Sequence, residues 1–299
     1  MDLELGQLRA LAAAVTTGSL EGAARELHVT PSAVSQRLKA LEASTGRVLL
    51  VRSRPVRVTP SGAALLRLAR QVELLAADAA RELEPELGAA GPVTMPIAVN
   101  ADSLATWVLP ALASLAPDYS FDLRLADQER TSDLLRDGTV MAAITAEAEP
   151  VPGCRVARLG TMRYRAMATP EFTRRWFSQG ISTEALAAAP VVVFDRTDDL
   201  QHAYLRRRGV EHPPTHYVPS SADYLRALRL GLGWGTLPDL QLAAAAGGDG
   251  ADLVQLDPDS ATDVVLYWQQ WRLRSPALDR VAEAVRDAAR VHLDPAIRR

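Results

Sequence analysis

The chain has 299 residues, a formal net charge of −3, 48% hydrophobic residues and one cysteine, Cys154. That length accommodates a small domain and a larger one, and that composition excludes a disordered chain. A single cysteine excludes an intrachain disulfide and suits a reducing compartment, with Cys154 a buried small hydrophobe or, alternatively, a redox-sensing thiol.

Met1-Asp2-Leu3-Glu4 places acids where a secretion signal has cations, and no apolar run reaches the roughly 20 residues of a membrane span. A cytoplasmic protein with no membrane partner is therefore expected. Leu5, Leu8, Leu11, Ala12 and Val15 space a first amphipathic helix. Ser19 can cap a second, whose Leu20, Ala23, Ala24 and Leu27 recur at i, i+3, i+4 and i+7. After the short turn at His28-Val29, Thr30 offers an N-cap hydroxyl and Pro31 suits the first helical position, where a missing N–H costs nothing. A third helix therefore starts at residue 31. Two short helices joined by a tight turn make a helix-turn-helix, and Ala23 and Ala24 let the helices approach.

On the third helix Val34, Leu38 and Leu41 fall on one side, and Ser32, Ser35, Gln36 and Lys39 share one arc on the other. Hydroxyls and an amide backed by cations suit base edges and phosphates; a generic helical hairpin is the alternative reading of the pattern alone. Charge separates the two. Residues 31 to 60 carry six cations (Arg37, Lys39, Arg47, Arg52, Arg54, Arg57) against one acid, Glu42, in a slightly acidic chain whose one lysine is Lys39. The positive potential is local, as a phosphate-binding surface requires.

Gly18-Ser19, Ala23-Ala24, Leu27, Thr30-Pro31-Ser32-Ala33-Val34-Ser35, Leu38, Leu41-Glu42, Gly46 and Leu49 to Arg52 together resemble the N-terminal signature of LysR-type transcriptional regulators. The resemblance spans essentially the whole chain. It implies a winged helix-turn-helix, a linker helix that dimerises, and a C-terminal effector-binding domain. The expected fold class is an all-α winged helix-turn-helix N-terminal domain plus linker helix, followed by an α/β two-lobed periplasmic-binding-protein-like effector domain. The expected boundaries are 1–59, 60–91 and 92–299, with lobe 1 at 92–163 and 267–299 and lobe 2 at 164–266.

Past Thr45-Gly46, which can end the third helix with a left-handed cap, Val48 to Val51 and Val56 to Thr59 read as a two-stranded wing. Arg52-Ser53-Arg54-Pro55 forms its tip. Thr59-Pro60 repeats the cap-plus-proline signal, and the next helix runs to about Leu83 before Pro85 and Gly88 stop it. Its Leu65, Leu68, Val72, Leu75 and Ala79 keep the 3,4 spacing of a coiled-coil seam. With nothing in its own chain expected to cover it, the seam implies a homodimer; packing onto the effector domain is the alternative. Glu84 to Pro92 reads as the linker to the second domain.

From Val93 strands and helices alternate: strands at Val93 to Asn100, Phe121 to Asp127 and Val140 to Ala146, with helices at Ser103 to Leu115 and Thr131 to Asp137 between them. A second unit follows, with strands Tyr164 to Ala168, Val191 to Asp195 and Thr215 to Val218. Its helices are Pro170 to Ser178, Thr183 to Ala188, Asp199 to Arg208 and Ala222 to Leu230. Val264 to Arg272 returns as a strand, and Pro276 to His292 is a closing amphipathic helix. The resemblance implies two crossings between lobes, near residues 163 and 267, and a ligand in the cleft between them. Open α/β sheets bind ligands beyond strand C-termini, which points to the same place.

No catalytic constellation appears, so an enzyme is not expected. The histidines are scattered with no pair at metal-ligand spacing, and no nucleophile elbow or phosphate loop occurs. Neither metal nor cofactor is expected beyond a small-molecule effector. Gly231-Leu232-Gly233-Trp234-Gly235 follows a helix, so it reads as a helix stop leading into a strand and not as a nucleotide motif. At Asn100-Ala101-Asp102-Ser103 a strand end meets a helix start, where N–H groups and a hydroxyl can hold a carboxylate. Asp102 has the wrong charge for that job unless the ligand also carries an ammonium. Further acids at strand ends, Asp127, Glu129, Glu147 and Asp195, suit a ligand with one carboxylate and two cationic groups, lysine or arginine. The alternative is that each acid caps its own helix.

Asn100 to Trp107 with Leu109-Pro110, Ala189-Pro190-Val191-Val192, Pro219-Ser220-Ser221 and Leu266-Tyr267-Trp268 resemble the ArgP/LysG branch, regulators of basic amino-acid export. Ser103, Thr145 and Ser221 match effector-binding positions of the wider family. The expectation is a dimer or dimer of dimers on double-stranded promoter DNA, activating an exporter gene through contact with RNA polymerase. Ser32, Ser35, Gln36 and Lys39 would enter the major groove while Arg37, Arg52, Arg54 and Arg57 hold phosphates. The rival readings are a nucleoid or replication-origin binder without an effector, and a ligand-binding protein of transport type.

Overall fold

The computed structural model describes residues 3–51, 53–83, 92–126, 128–244 and 252–295, the side chains of 128–129 and 243–244 excepted. The N-terminal unit contains α1 (Leu5–Thr17), α2 (Leu20–Glu26) and α3 (Pro31–Thr45). The starts of α2 and α3 follow from their caps: Ser19 Oγ accepts the Gly22 N–H at 2.9 Å, and Thr30 Oγ1 accepts the Ala33 N–H at 3.1 Å. α3 stops at Gly46, whose φ of 62° is the left-handed conformation glycine adopts without strain. Val34, Leu38 and Leu41 bury against Leu8, Leu11, Val15, Ala23 and Ala24. β1 (Leu50–Val51) pairs antiparallel with β2 (Arg57–Val58), a wing shorter than the predicted runs.

α4 (Pro60–Leu83) follows its cap, Thr59 Oγ1 accepting the Gly62 N–H at 3.0 Å. The expectation that its seam has no cover within the chain is corrected over the first half. Leu65 is buried, Leu68 is partly buried, and both pack with Leu66 and Ala69 in the core of the winged unit. Leu74 and Ala77, off the predicted seam, pack against the effector-domain core. The apolar arc of this helix is wider than a two-position seam, so neighbours on two sides share it. Leu75 remains 42% exposed, and Ala79 is exposed beside it. The predicted linker falls at residues 84–91, outside the described residues, except Pro92.

β3 (Val93–Val99) opens the effector half and leads into α5 (Ala101–Ser103), a π turn over Leu104–Val108, and α6 (Leu109–Ala113). The helix starts before the predicted Ser103 because Asn100 Oδ1 caps the Ser103 N–H at 2.9 Å. Pro110 has no N–H to return to Thr106, and the ladder loosens to π just before it. β4 (Tyr119–Leu125) and β5 (Ala142–Thr145) lie parallel to β3 on its two sides, with α7 (Gln128–Arg136) connecting them.

β6 (Cys154–Ala168) is a 15-residue strand, ten residues longer at its start than predicted. Its outward residues there, Arg155 and Arg158, lack the apolar run that marks a strand in sequence. α8 (Pro170–Trp176), α9 (Thr183–Ala188), β7 (Val191–Val193), α10 (Leu200–Arg207), β8 (Thr215–Tyr217), α11 (Ser221–Arg229) and β9 (Gly235–Pro238) build the second unit. α12 (Asp239–Ala244) and β10 (Val254–Gln255) were not foreseen. β11 (Thr262–Trp271) then pairs antiparallel with β6 along its whole length, and α13 (Pro276–His292) packs on the first unit.

β6 and β11 are thus shared by two bodies. On one side β5 pairs with β11, giving the order β11-β5-β3-β4 with Trp107, Ile144, Trp268 and Val281 in one core. On the other, β9 pairs with β6 and β7 with β8, around a separate core of Phe172, Val191, Tyr204 and Trp234. The ladder between β6 and β11 shifts register between Leu266 and Tyr267. In the Gly231 to Gly235 stretch the glycines serve close packing: a Cβ on Gly233 would lie 2.7 Å from Pro190 O, and one on Gly235 2.3 Å from the Tyr224 hydroxyl.

Candidate functional site

A cleft of about 910 Å³ lies between the two bodies. One wall carries Asn100, Asp102, Arg130, Thr131, Asp133 and Thr145; the other carries Asp195, Asp198, Ala203, Ser221, Tyr224 and Thr236, with Tyr164 between them. Of the predicted effector residues, Asn100, Asp102, Thr145, Asp195 and Ser221 are brought together here. The Glu129 side chain and Asp127 lie outside the described residues. Ser103 does not line the cleft: it is fully buried behind it, and its hydroxyl has no partner among the described residues.

The acids differ in their surroundings. Asp102 accepts a hydrogen bond from the Tyr164 hydroxyl at 2.8 Å. Burial pushes its carboxyl up to about 6, the tyrosine pulls it back, and the nearby Asp198 charge raises it again. Burial and the Asp102 charge push the Tyr164 hydroxyl well above its ordinary range, so it remains a donor.

Asp195, expected to face the ligand, folds its Oδ1 onto its own loop. It accepts from the Thr197 N–H at 2.8 Å, the Thr197 hydroxyl at 2.6 Å and the Asp198 N–H at 3.1 Å. Burial raises its pKa, but those three bonds outweigh it and hold the group low. A tight turn before α10 (Leu200–Arg207), not a helix cap, thus occupies one oxygen of an acid that also lines the cleft.

Asp198 was missed in sequence. It accepts the Phe194 N–H at 3.3 Å and the Leu200 N–H at 3.1 Å. With the Gln201 amide turned so that its nitrogen faces the carboxylate, that nitrogen donates at 3.1 Å, and Gln201 Oε1 accepts from Thr236 Oγ1 at 3.0 Å. Burial raises the Asp198 carboxyl all the same. The run Asp195 to Asp199 marked the region; Asp199 also lines the cleft, with its carboxylate bound to Arg206 at 2.6 Å. Tyr164 gave no signal, since a tyrosine in a strand reads as core. The Ser221 hydroxyl, at the start of α11, is buried without a partner among the described residues. Among the described residues no group of three or more histidine, cysteine or acidic side chains could hold a metal ion.

The second candidate surface is α3 and the wing. Ser32, Gln36 and Lys39 are exposed and Ser35 half-buried on the face opposite Val34, Leu38 and Leu41. Arg37 is half-buried, with its guanidinium beside Gly6 of α1. Arg54 and Arg57 are exposed on the wing, while Arg52 lies outside the described residues. Among the described residues no helix is long and apolar enough to cross a membrane.

Comparison with known proteins matches two family models along the chain. Residues 5–63 match the family "Bacterial regulatory helix-turn-helix protein, lysR family", and residues 88–290 match "LysR substrate binding domain". The chain is 46% identical over 286 residues to the HTH-type transcriptional regulator LysG of Mycobacterium tuberculosis, covering 95% of this chain and 92% of that one. The crystal structure of ArgP from M. tuberculosis superposes with a TM-score of 0.83 at 43% identity, over 99% of this chain and 100% of that one. The full-length LysG of Corynebacterium glutamicum with bound effector Arg superposes at 0.73 with 41% identity, over 98% and 100%.

Proposed function

The chain belongs to the LysR family of bacterial transcriptional regulators, and from that premise we propose that its effector is a basic amino acid, lysine or arginine, held between the two lobes. The observation that carries this reading is the acidic cleft. Asp102, Asp195 and Asp198 gather there, and the charge of Asp198 makes Asp102 costlier to ionise. A cationic ligand relieves both the desolvation and the like-charge repulsion. Asp102 takes the α-ammonium and Asp198, with Asp195 and Glu129, the distal cation. Asn100, Thr145 and Ser221, with Ser103 behind them, serve the carboxylate end, where the unpartnered Ser221 hydroxyl and the first N–H groups of α11 offer donors. A relative solved with bound effector Arg supports the same ligand class.

The lobes are taken as residues 92–163 with 267–299 and residues 164–266. Closure of one on the other changes the spacing of paired DNA-binding units, provided the ligand binds one arrangement better. Ser32, Ser35, Gln36 and Lys39 read bases from the major groove, and Arg37, Arg52, Arg54 and Arg57 hold phosphates. The working form is a homodimer through α4, paired into a tetramer, acting in the cytoplasm with RNA polymerase at an amino-acid exporter promoter and performing no catalysis.

Calorimetric titration with lysine, arginine, histidine and leucine tests the effector. Heat confined to the basic amino acids is the expected result. Equal binding of leucine, or no binding of any of the four, would return the effector to an unassigned class and leave the DNA-binding half standing.

A further inference from the structure

α7 lines the cleft with Arg130, Thr131 and Asp133, and its far end abuts the linker helix. The Asp137 N–H donates to Asp133 O at 2.8 Å, and Asp137 Oδ1 accepts the Thr139 N–H at 2.8 Å. Between them Gly138, at φ 81°, approaches α4 so closely that a Cβ would lie 2.7 Å from Arg67 Cγ and 3.0 Å from the Arg67 backbone nitrogen. The turn that ends a cleft helix therefore rests directly on the helix that leads to the DNA-binding unit.

One turn along α4 from Arg67 is Arg70, which is only 4% exposed. Its Nη2 donates to Thr16 Oγ1 of α1 at 3.2 Å, and its Nε has no partner among the described residues. Glu73 on the same helix and Asp122 and Asp137 of the effector half lie near enough to favour its charge, while Arg124 opposes it. From the winged unit Glu26 feels the same guanidinium. A cation largely stripped of water thus stands where the winged unit, the linker helix and the effector lobe meet.

Exchanging a whole buried ion pair for apolar groups is often neutral or stabilising, whereas removing one partner alone is costly because the other charge stays buried; the best attested use of such a group is to fix an arrangement. We infer that Arg70 is the positioning residue that couples the cleft to the DNA-binding unit, transmitting movement of the Asp137–Gly138 turn to Thr16 of α1. The ligand half of this inference rests on the cleft being the effector site.

The test uses the full chain and a duplex selected by the wild-type protein from a random pool, with DNA affinity read by fluorescence anisotropy with and without saturating arginine. Coupling in the wild type should lie in the usual range of about 5- to 150-fold, and in Arg70→Met it should fall below about twofold. Arginine affinity in the absence of DNA should be unchanged. Arg70→Lys, which keeps the cation without the fork, should recover part of the coupling. Coupling in Arg70→Met equal to wild type overturns the inference.

A second arm needs no effector. Hydrogen exchange in α7 and the 137–139 turn should change when the wild-type protein binds the duplex, and that response should vanish in Arg70→Met. A response that persists overturns the inference, whether or not arginine proves to be the ligand. If Arg70→Met fails to fold, Gly138→Ala, whose Cβ would press on Arg67, carries the same readouts: lost coupling supports the inference and retained coupling overturns it.

Discussion

Asp102 sits between stability and ligand binding, and the sign of its effect can be worked out. Its carboxyl is raised from the ordinary 3.8 to about 6, chiefly by burial. An acid with a raised folded-state value holds its proton more tightly when folded. Stability therefore falls as pH climbs from about 4 to about 6, and the penalty is complete above that. Asp102→Asn removes the charge and keeps an oxygen for the Tyr164 hydroxyl. It should raise stability near neutral pH by up to roughly 3 kcal/mol, with the gain disappearing below about pH 4, while the amino-acid response is lost. Thermal unfolding at acid and slightly alkaline pH checks this; an equal gain at both would mean that charge is not the cause. On the DNA face, Gln36→Ala should cost about 1–3 kcal/mol on a selected operator and far less on random duplex, whereas Arg54→Ala should weaken both alike and reduce the salt slope by about 1. Equal loss on both duplexes for Gln36→Ala would remove it from base reading.

At the scale of elements, neither of the two hydrophobic cores that α4 joins takes in its predicted seam from Val72 onward, and Leu75 is the exposed large side chain of that seam. Because Leu65, Leu66 and Ala69 are committed to the winged core, a charge placed there would unfold the unit instead of separating protomers. Leu75→Glu should shift sedimentation from dimer toward monomer with little change in the melting of the monomer, and a dimer that survives would move the contact elsewhere. The α4 reading also shows what sequence could and could not tell. Helix starts were legible because capping is local chemistry: Ser19, Thr30-Pro31 and Thr59-Pro60 announce α2, α3 and α4 within a residue. The seam was not, because which neighbours share an apolar arc depends on contacts far away in the chain. The same holds at the cleft. Asp102, Thr145 and Ser221 sit at strand ends and helix starts, where local pattern points. Asp198 is held by the Phe194 and Leu200 N–H groups of its own loop, a local turn missed in sequence, whereas Tyr164 reaches the cleft because β11 pairing carries β6 past it, which is not a property of the neighbouring sequence.

At the scale of the whole molecule, β6 and β11 are the parts through which the two lobes can move. They pair across both bodies, and their register shift between Leu266 and Tyr267 is the one interruption recorded in that ladder. Closure by bending there leaves the Trp268 and Trp234 cores intact but must shift Leu200 and Leu240 of the second lobe, which pack against the first. On the proposed mechanism the cleft narrows around its effector, and Ala203 is a small side chain on the second wall where added bulk would oppose that. Ala203→Trp should prop the lobes apart. The wild-type protein should show a smaller radius of gyration by small-angle scattering when arginine is added, and the variant should show none. Because Ala203 is remote from α3 and the wing, DNA affinity without effector should stay at the wild-type level while the amino-acid response disappears. A variant that still responds would show that occupancy of one lobe alone drives the switch, and closure would lose its place in the mechanism.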